Sequence, residues 1–303
     1  MIYKEFLTES FFSSISTEEA AIEALWSMKF EGAGFICSDC GGNKFQQYRC
    51  NREIRKCSAC GKHNRLRVGT IFEHSKTKLL NWLRAIYFVM QGKRGISALE
   101  LKRHLGMKSY GTVWSMLHKI REALRQRDES YKLQGQIELD GAVFGRRETG
   151  TQREVLVAVE TKDWLDENGK AKSKAGFAKV VVANETSENA KNFADKAIEA
   201  GSLINTDGSP SLRNIDGHDV DYQVVSGRKD VLDRWLPWVH KTISNAKAWI
   251  IGTHHGIGDQ YLESYLAEYF FRFNRRHDTK RLFHRATMSC LRAKPIRLGV
   301  LFG

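Results

Sequence analysis

Two Cys-x2-Cys pairs, Cys37/Cys40 and Cys57/Cys60, are separated by sixteen residues, and they constrain the front of this chain more than any other feature. Paired knuckles at that distance fit a four-thiolate tetrahedral zinc site. Each pair is followed by glycine, Gly41 or Gly61, which permits the turn that aims both sulfurs at one ion. A segment this short buries little core, so metal ligation would supply its folding energy. Two further cysteines complete the six. Cys50 is expected as a spare buried thiol and Cys290 as a core residue. The N-terminus has no basic start, apolar stretch or small-residue cleavage site, so the expected address is cytoplasmic, where structural disulfides are rare.

The same region carries the charge. Residues 37 to 127 hold 20 Lys+Arg against 5 Asp+Glu, a net +15 within a chain whose total is +13. Cationic excess gathered into one third of the sequence points to a polyanion, most often nucleic acid. The 42% hydrophobic and 27% charged composition excludes long disorder and collagen-like sequence, and no apolar run approaches the length of a membrane span.

Helical periodicity marks TKLLNWLRAIYFVMQG (77–92), GISALELKRHLG (95–106) and SYGTVWSMLHKIREAL (109–124), and capping-box spacing at Ser16 and Glu19 starts an earlier helix. The second and third have a helix-turn-helix outline. Ile96, Leu99, Leu101 and Leu105 are expected inside. Lys102, Arg103, Lys108, Lys119 and Arg121 are expected outside as phosphate contacts, with Ser109, Tyr110 and Thr112 as base or phosphate contacts. Residues 128 to 135 read as a linker. From Gln136 the pattern becomes β-branched and alternating. Strands are expected at QIELDGAVFG, REVLVAVE, AKVVVA, SLINTDG and YQVV, with a helix at SENAKNFADKAIEA capped by Ser187, and helices from about Val239 to His277 broken at GTHHGIGD.

Asp140 ends the strand QIELD and Asp207 ends SLINTD. Carboxylates at two strand ends can converge on one face of a sheet and hold two Mg²⁺ ions, the arrangement that phosphoryl transfer on a nucleic-acid backbone needs.

The motifs CSDCGG, KCSACGKHNRLRVGTIF, GISALELKRHLGM, IELDG, INTDGSPSL, ISNAKAWIIGTHHG and YLESYLAEYFFRFNRR follow one another from about residue 15 to residue 278. Together they resemble the ISXO-like zinc-ribbon transposases of bacterial insertion sequences. The resemblance implies a multidomain α+β or α/β protein. Its parts would be a helical lead-in (1–36), a zinc ribbon (37–75), a helix-turn-helix DNA-binding domain (76–130) and an RNase H-like catalytic domain of the DDE type with a basic tail (131–303). It implies cleavage and joining of double-stranded DNA at element ends with Mg²⁺ or Mn²⁺, a structural Zn²⁺, at least a dimer on DNA, and a nucleoid-associated location without membrane contact. Asp140 and Asp207 match the first two acids. Asn245 and Lys247 stand where an Asp-Asp-Asn-Lys variant is seen, with Asn245 as a metal ligand and Lys247 on the scissile phosphate. Glu268 is the alternative third acid, against an ion pair with Arg272 four residues on. Many relatives read Asp-Glu where this chain has Asp140-Gly141, which removes a neighbouring carboxylate. His240, His254 and His255 lie near the third ligand, as proton shuttles or as DNA or backbone contacts. Arg275, Arg276, Lys280, Arg281 and Arg285 would track phosphates. The competing functions are a catalytically inactive DNA-binding regulator derived from a transposase, and a resolvase-like nuclease, which would need no such DNA-binding head.

Overall fold

The computed structural model describes residues 13–145, 150, 152–224, 234–296 and 299. By contact the chain divides into two compact units, Met1–Arg127 with His277–Gly303 and Asp128–Arg276. Outside the described residues lie part of the turn expected after QIELDGAVFG, Val225 of the expected fifth strand, and parts of both chain ends.

The first unit begins with α1 (Glu18–Lys29), capped one residue later than the sequence suggests: the Thr17 hydroxyl accepts from Ala20 N at 3.2 Å. Three short antiparallel strands follow, β1 (Phe45–Gln47), β2 (Ile54–Cys57) and β3 (His63–Arg65). Then come α2 (Leu79–Gln91), α3 (Ala98–Leu105) and α4 (Tyr110–Asp128). No local side chain caps α2. The Glu18 carboxylate does so from α1, accepting from Leu79 N at 2.7 Å and Leu80 N at 2.9 Å. Ser97 opens α3 and Gly106, at φ 61°, closes it in the left-handed conformation. Ile96, Leu101 and Leu105 are buried as expected, but Leu99 is 47% exposed. Two residues from Leu101 is roughly 200° round a helix, so Leu99 lies on the opposite face.

The second unit is a five-stranded sheet clad by helices. β4 (Gln136–Phe144), β5 (Arg153–Leu165) and β6 (Ala171–Val182) form an antiparallel meander; α5 (Ser187–Ala197) crosses to β7 (Leu203–Thr206), and β8 (Asp219–Tyr222) follows. The order is β6-β5-β4-β7-β8, with β7 parallel to both β4 and β8. Thr186, not Ser187, caps α5, accepting from Asn189 N at 3.2 Å. α6 (Pro237–His254) and α7 (Leu262–Phe273) complete the unit; α6 runs into the stretch expected to break, residues 252–259, through His254, and a 3-10 turn at Asp259–Tyr261 starts at its last residue.

Alternation along β4 sorts its side chains between two cores. Ile137 and Leu139 pack with Ala190, Phe193 and Ala194 of α5. Phe144, with Val155, Val157 and Val159 of β5, packs with Val239, Ile243, Ala246 and Ile250 of α6. Even-numbered β4 residues thus turn to α6, and Glu138 among them does what no local residue does for that helix. Its carboxylate accepts from Trp238 N and Val239 N, both at 2.7 Å, and from the Thr161 hydroxyl at 3.0 Å. The segment expected as a linker is pinned as well. Leu133 is fully buried, and it exchanges backbone bonds with Ala197 and Glu199 at 2.7 and 2.8 Å.

Past Arg276 the chain belongs again to the first unit, where α8 (Leu282–Arg292) packs on α2. The expected catalytic domain with a basic tail therefore does not keep its last residues by contact. Leu282, Phe283, Ala286 and Cys290 form an apolar stripe that is buried in the first unit.

Removing the distal cap has a stated cost. Glu138→Ala should lower stability by about 2–3 kcal/mol, read by urea denaturation, because two buried helix N–H groups lose their acceptor. Burial pushes the Glu138 carboxyl above its ordinary value. A folded-state value above the unfolded one means stability is lost as pH rises through it. Glu138→Gln should therefore match the wild type at acid pH and gain on it as pH rises; a pH-independent difference would contradict this.

Candidate metal centre and active site

The four cysteines meet as their spacing predicts. Cys37 and Cys60 Sγ are 3.6 Å apart, as are Cys40 and Cys57 Sγ, and all four sulfurs lie within 4.8 Å of one another. Tetrahedral zinc with bonds of about 2.3 Å sets sulfurs roughly 3.8 Å apart, so the cluster fits that ion. Gly41 and Gly61 sit at φ 72° and 74°, the left-handed turn that follows each knuckle. Gly42 is needed for a different reason: a Cβ there would stand 3.3 Å from both Cys40 and Cys57 Sγ. Backbone N–H groups of Cys40 and Asp39 pull the Cys37 thiol down to about 6, which favours the thiolate that binds metal. Cys290 is buried in the core as expected, whereas Cys50 is exposed rather than buried.

The basic helices divide into exposed and buried charge. Arg103, Lys108, Ser109 and Tyr110 are exposed, and Lys102 and Thr112 are half-buried. Ser109 also acts locally, since its hydroxyl accepts from Thr112 N at 3.2 Å and caps α4. Lys119 and Arg121 do not reach outward. They are 9% and 1% exposed in a stretch of α4 that is buried from Met116 to Arg121, and burial lowers the Lys119 pKa. Neither can lie along a phosphate backbone.

Arg275 and Arg276 are likewise corrected. Arg275 is 7% exposed, stacks on Phe271 and bonds Asp128 Oδ1 at 2.6 Å. Arg276 donates to the carbonyls of Gly176 (3.2 Å), Phe273 (2.8 Å) and Ala175. Beside them, Asn274 pairs with the backbone of Ala178 through both amide atoms, at 2.7 and 2.9 Å. FNRR therefore stitches α7 to β6. Of the remaining basic residues in that stretch, Arg281 and Arg285 bond Asp278, and Lys280 is exposed.

Asp140 stands inside β4, paired with Val157 of β5, rather than at a strand end as expected, whereas Asp207 follows β7 by one residue. Parallel pairing runs Gln136 with Leu203, Ile137 with Ile204 and Glu138 with Asn205. The pairing ends there; the same offset extended by two residues would bring Asp207 level with Asp140, on strands spaced about 4.8 Å apart. Asp207 Oδ1 accepts from Ser209 N at 2.9 Å, which fixes the turn leaving β7. Asp140 faces α6, where His240 Nε2 lies 3.2 Å from its Oδ2. Lys247, two turns on from His240, shares that flank and places its ammonium 5.4 Å from the ring centre of Phe144 at the end of β4.

Two expected site residues are not brought there. Asn245 is exposed on α6, and five residues from His240 turn it roughly 140° away from the flank that meets Asp140. Glu268 is wholly buried in α7 with Arg272 Nη1 at 3.7 Å, the ion pair its spacing allows. His254 packs edge-on against Trp249 and Tyr265, and His255 closes α6 at φ 54°.

One carboxylate has no signal in the sequence. Glu185, in the loop between β6 and α5, accepts from the Ser209 hydroxyl, and Ser211 donates to its carbonyl at 3.2 Å. Its side chain fills the space beside Gly141: a Cβ built there would overlap Glu185 Oε2 and come within 3.0 Å of its Cδ. Among the described residues, the four cysteines are the only group of three or more His, Cys, Asp or Glu side chains whose ligand atoms lie within 4.8 Å of one another; Asp140, Asp207 and Glu185 form no such group. Among the described residues, no helix is long and apolar enough to cross a membrane.

Residues 132–274 match the family model described as an ISXO2-like transposase domain. The sheet unit belongs to that domain family, and the resemblance to ISXO-like transposases read from the sequence holds. The family implies DNA binding and, for DDE transposases, divalent metal ions. No curated protein and no solved structure matches the chain.

For the first unit, the metal assignment is checked by elemental analysis: one Zn²⁺ per chain is expected, lost on Cys57→Ser with Cys60→Ser. Exposed and buried cations should also separate. Arg103→Ala and Lys108→Ala should each flatten the salt dependence of DNA binding by about one unit of log–log slope. Lys119→Ala and Arg121→Ala should instead lower the melting temperature.

Proposed function

We propose that the chain is an insertion-sequence transposase that binds double-stranded DNA at element ends and performs metal-dependent strand cleavage and strand transfer. The observation that carries this reading is a transposase-family domain in which Asp140 lies in β4 and Asp207 just past the neighbouring parallel strand β7. Magnesium or manganese at such a site supplies activation of the attacking oxygen and stabilisation of the leaving one.

Within this reading the chain's own residues divide the work. Asp140 and Asp207 hold the divalent cations. His240 orients the Asp140 carboxylate. Lys247 neutralises charge on the scissile phosphate from the same flank of α6. The exposed Arg103, Lys108 and Tyr110 at the turn between α3 and α4 contact DNA, in keeping with a helix-turn-helix with α4 entering the groove by its first turn. The four-cysteine cluster holds Zn²⁺ as a structural ion. Two DNA ends must be brought together, which calls for at least a dimer on DNA.

Strand nicking of DNA carrying the element's own ends, with Mg²⁺ or Mn²⁺, tests the proposal. Asp140→Asn and Asp207→Asn should each lower cleavage by at least about 10³-fold while end binding stays within a few-fold, because charge stabilisation in the transition state is lost and the basic helices are untouched. Cleavage retained by both variants would remove the reading.

A further inference from the structure

We infer that Asn64 is a positioning residue of the four-cysteine centre: its side-chain amide spans the two knuckles and donates an N–H to Cys37 Sγ. The inference rests on the reading of that centre as a zinc site. Of the three residues of β3 only Asn64 is buried, while His63 and Arg65 are exposed. A polar side chain turned inward needs its hydrogen-bonding atoms satisfied. Asn64 satisfies them on both knuckles. Its Oδ1 accepts from Ser38 N at 2.9 Å, inside the first. Its Nδ2 donates to the Lys62 carbonyl at 3.3 Å, just past the second, and to Cys37 Sγ at 3.6 Å. Both amide N–H groups are thereby in use.

The backbone partners fix which way the amide points. Ser38 N can only donate and Lys62 O can only accept, so turning the group over would set N–H against N–H and oxygen against oxygen. An N–H, not an oxygen, therefore faces the sulfur. That polarity matters because four thiolates bring twice the charge of one Zn²⁺ and leave the centre negative. A donor beside a thiolate offsets part of that charge, whereas an oxygen there would add to it. Cys37 also receives backbone N–H groups from Asp39 and Cys40, which belong to its own knuckle. Asn64 reaches it from 27 residues away, and the Lys62 carbonyl that holds Asn64 also accepts from Cys57 N at 2.9 Å. One side chain thus joins a ligand of the first knuckle to the backbone frame of the second.

Metal binding by the full-length chain tests this, with Zn²⁺ affinity read by chelator competition and the Co²⁺ form read by its absorption spectrum. Asn64→Ala removes both the donor and the tie and should weaken Zn²⁺ binding by about tenfold or more. Asn64→Asp keeps the size and the acceptor for Ser38 N but sets an oxygen where the N–H faced the sulfur. It should bind Zn²⁺ more weakly than Asn64→Ala, and it decides the matter if the alanine variant does not fold. In the Co²⁺ forms of both variants the thiolate-to-metal charge-transfer band should move to lower energy, because a sulfur without its donor gives up an electron more easily. A merely structural tie would leave the band where it is. Asn64→Asp binding Zn²⁺ as tightly as the wild type, or an unmoved band in both variants, would overturn the proposal. If the wild-type chain itself binds no Zn²⁺, the zinc reading of the cysteines fails and the proposal with it; if the wild type binds and Asn64→Ala binds equally well, only the role of Asn64 falls.

Discussion

The Glu138 carboxylate on the first turn of α6 is the contact on which the placement of that helix against β4 depends. α6 begins at Leu236 and Pro237 with no side-chain cap of its own. Its first-turn N–H groups are satisfied by an acid from β4, a hundred residues earlier. Alternation along β4 then does the rest: Glu138 and Asp140 point to the same side, so the strand that anchors the helix also aims an aspartate at its next turn. His240 and Lys247 reach the Asp140 flank because the helix is fixed in both position and rotation. Glu18 caps α2 in the same way, so each unit ties a helix to a remote element by one carboxylate rather than by a local cap.

Legibility in the sequence follows the range of the interaction. The four-cysteine cluster is readable because its ligands are local and the knuckle with its glycine is a self-contained turn. Asp207 is readable because hydrophobic alternation followed by glycine marks the end of β7, whereas the same signal at Asp140 lies inside a strand that runs on to Phe144. Glu138, Glu185 and Gly141 are not, since each acts across the sheet or across a loop. Gly141 resembles a loss of function when read as a missing acid. In the fold it is the space into which Glu185 fits, and only the tertiary structure joins the two positions.

Local charge density is a good guide to the kind of partner and a poor guide to individual contacts. Lys119, Arg121 and Arg275 belong to strongly basic stretches, yet each is buried, and Arg276 is spent on backbone carbonyls. Helical periodicity shows which face is apolar; it does not show when a helix is enclosed on every side, as α4 is along its middle. The exposed cations that remain, Arg103 and Lys108, flank the turn between α3 and α4. The last helix is hidden for a related reason, because its apolar stripe is interrupted by basic residues that read as a DNA-tracking tail.

The central claim is that Asp140, inside β4, and Asp207, just past β7, bind divalent metal. Anomalous diffraction at the manganese edge, from crystals of the full-length chain soaked in Mn²⁺, tests it most directly. The account predicts anomalous density between the two carboxylates, on the side of the sheet covered by α6. Density at Glu268 and Asn245 instead, with none between the aspartates, would contradict it.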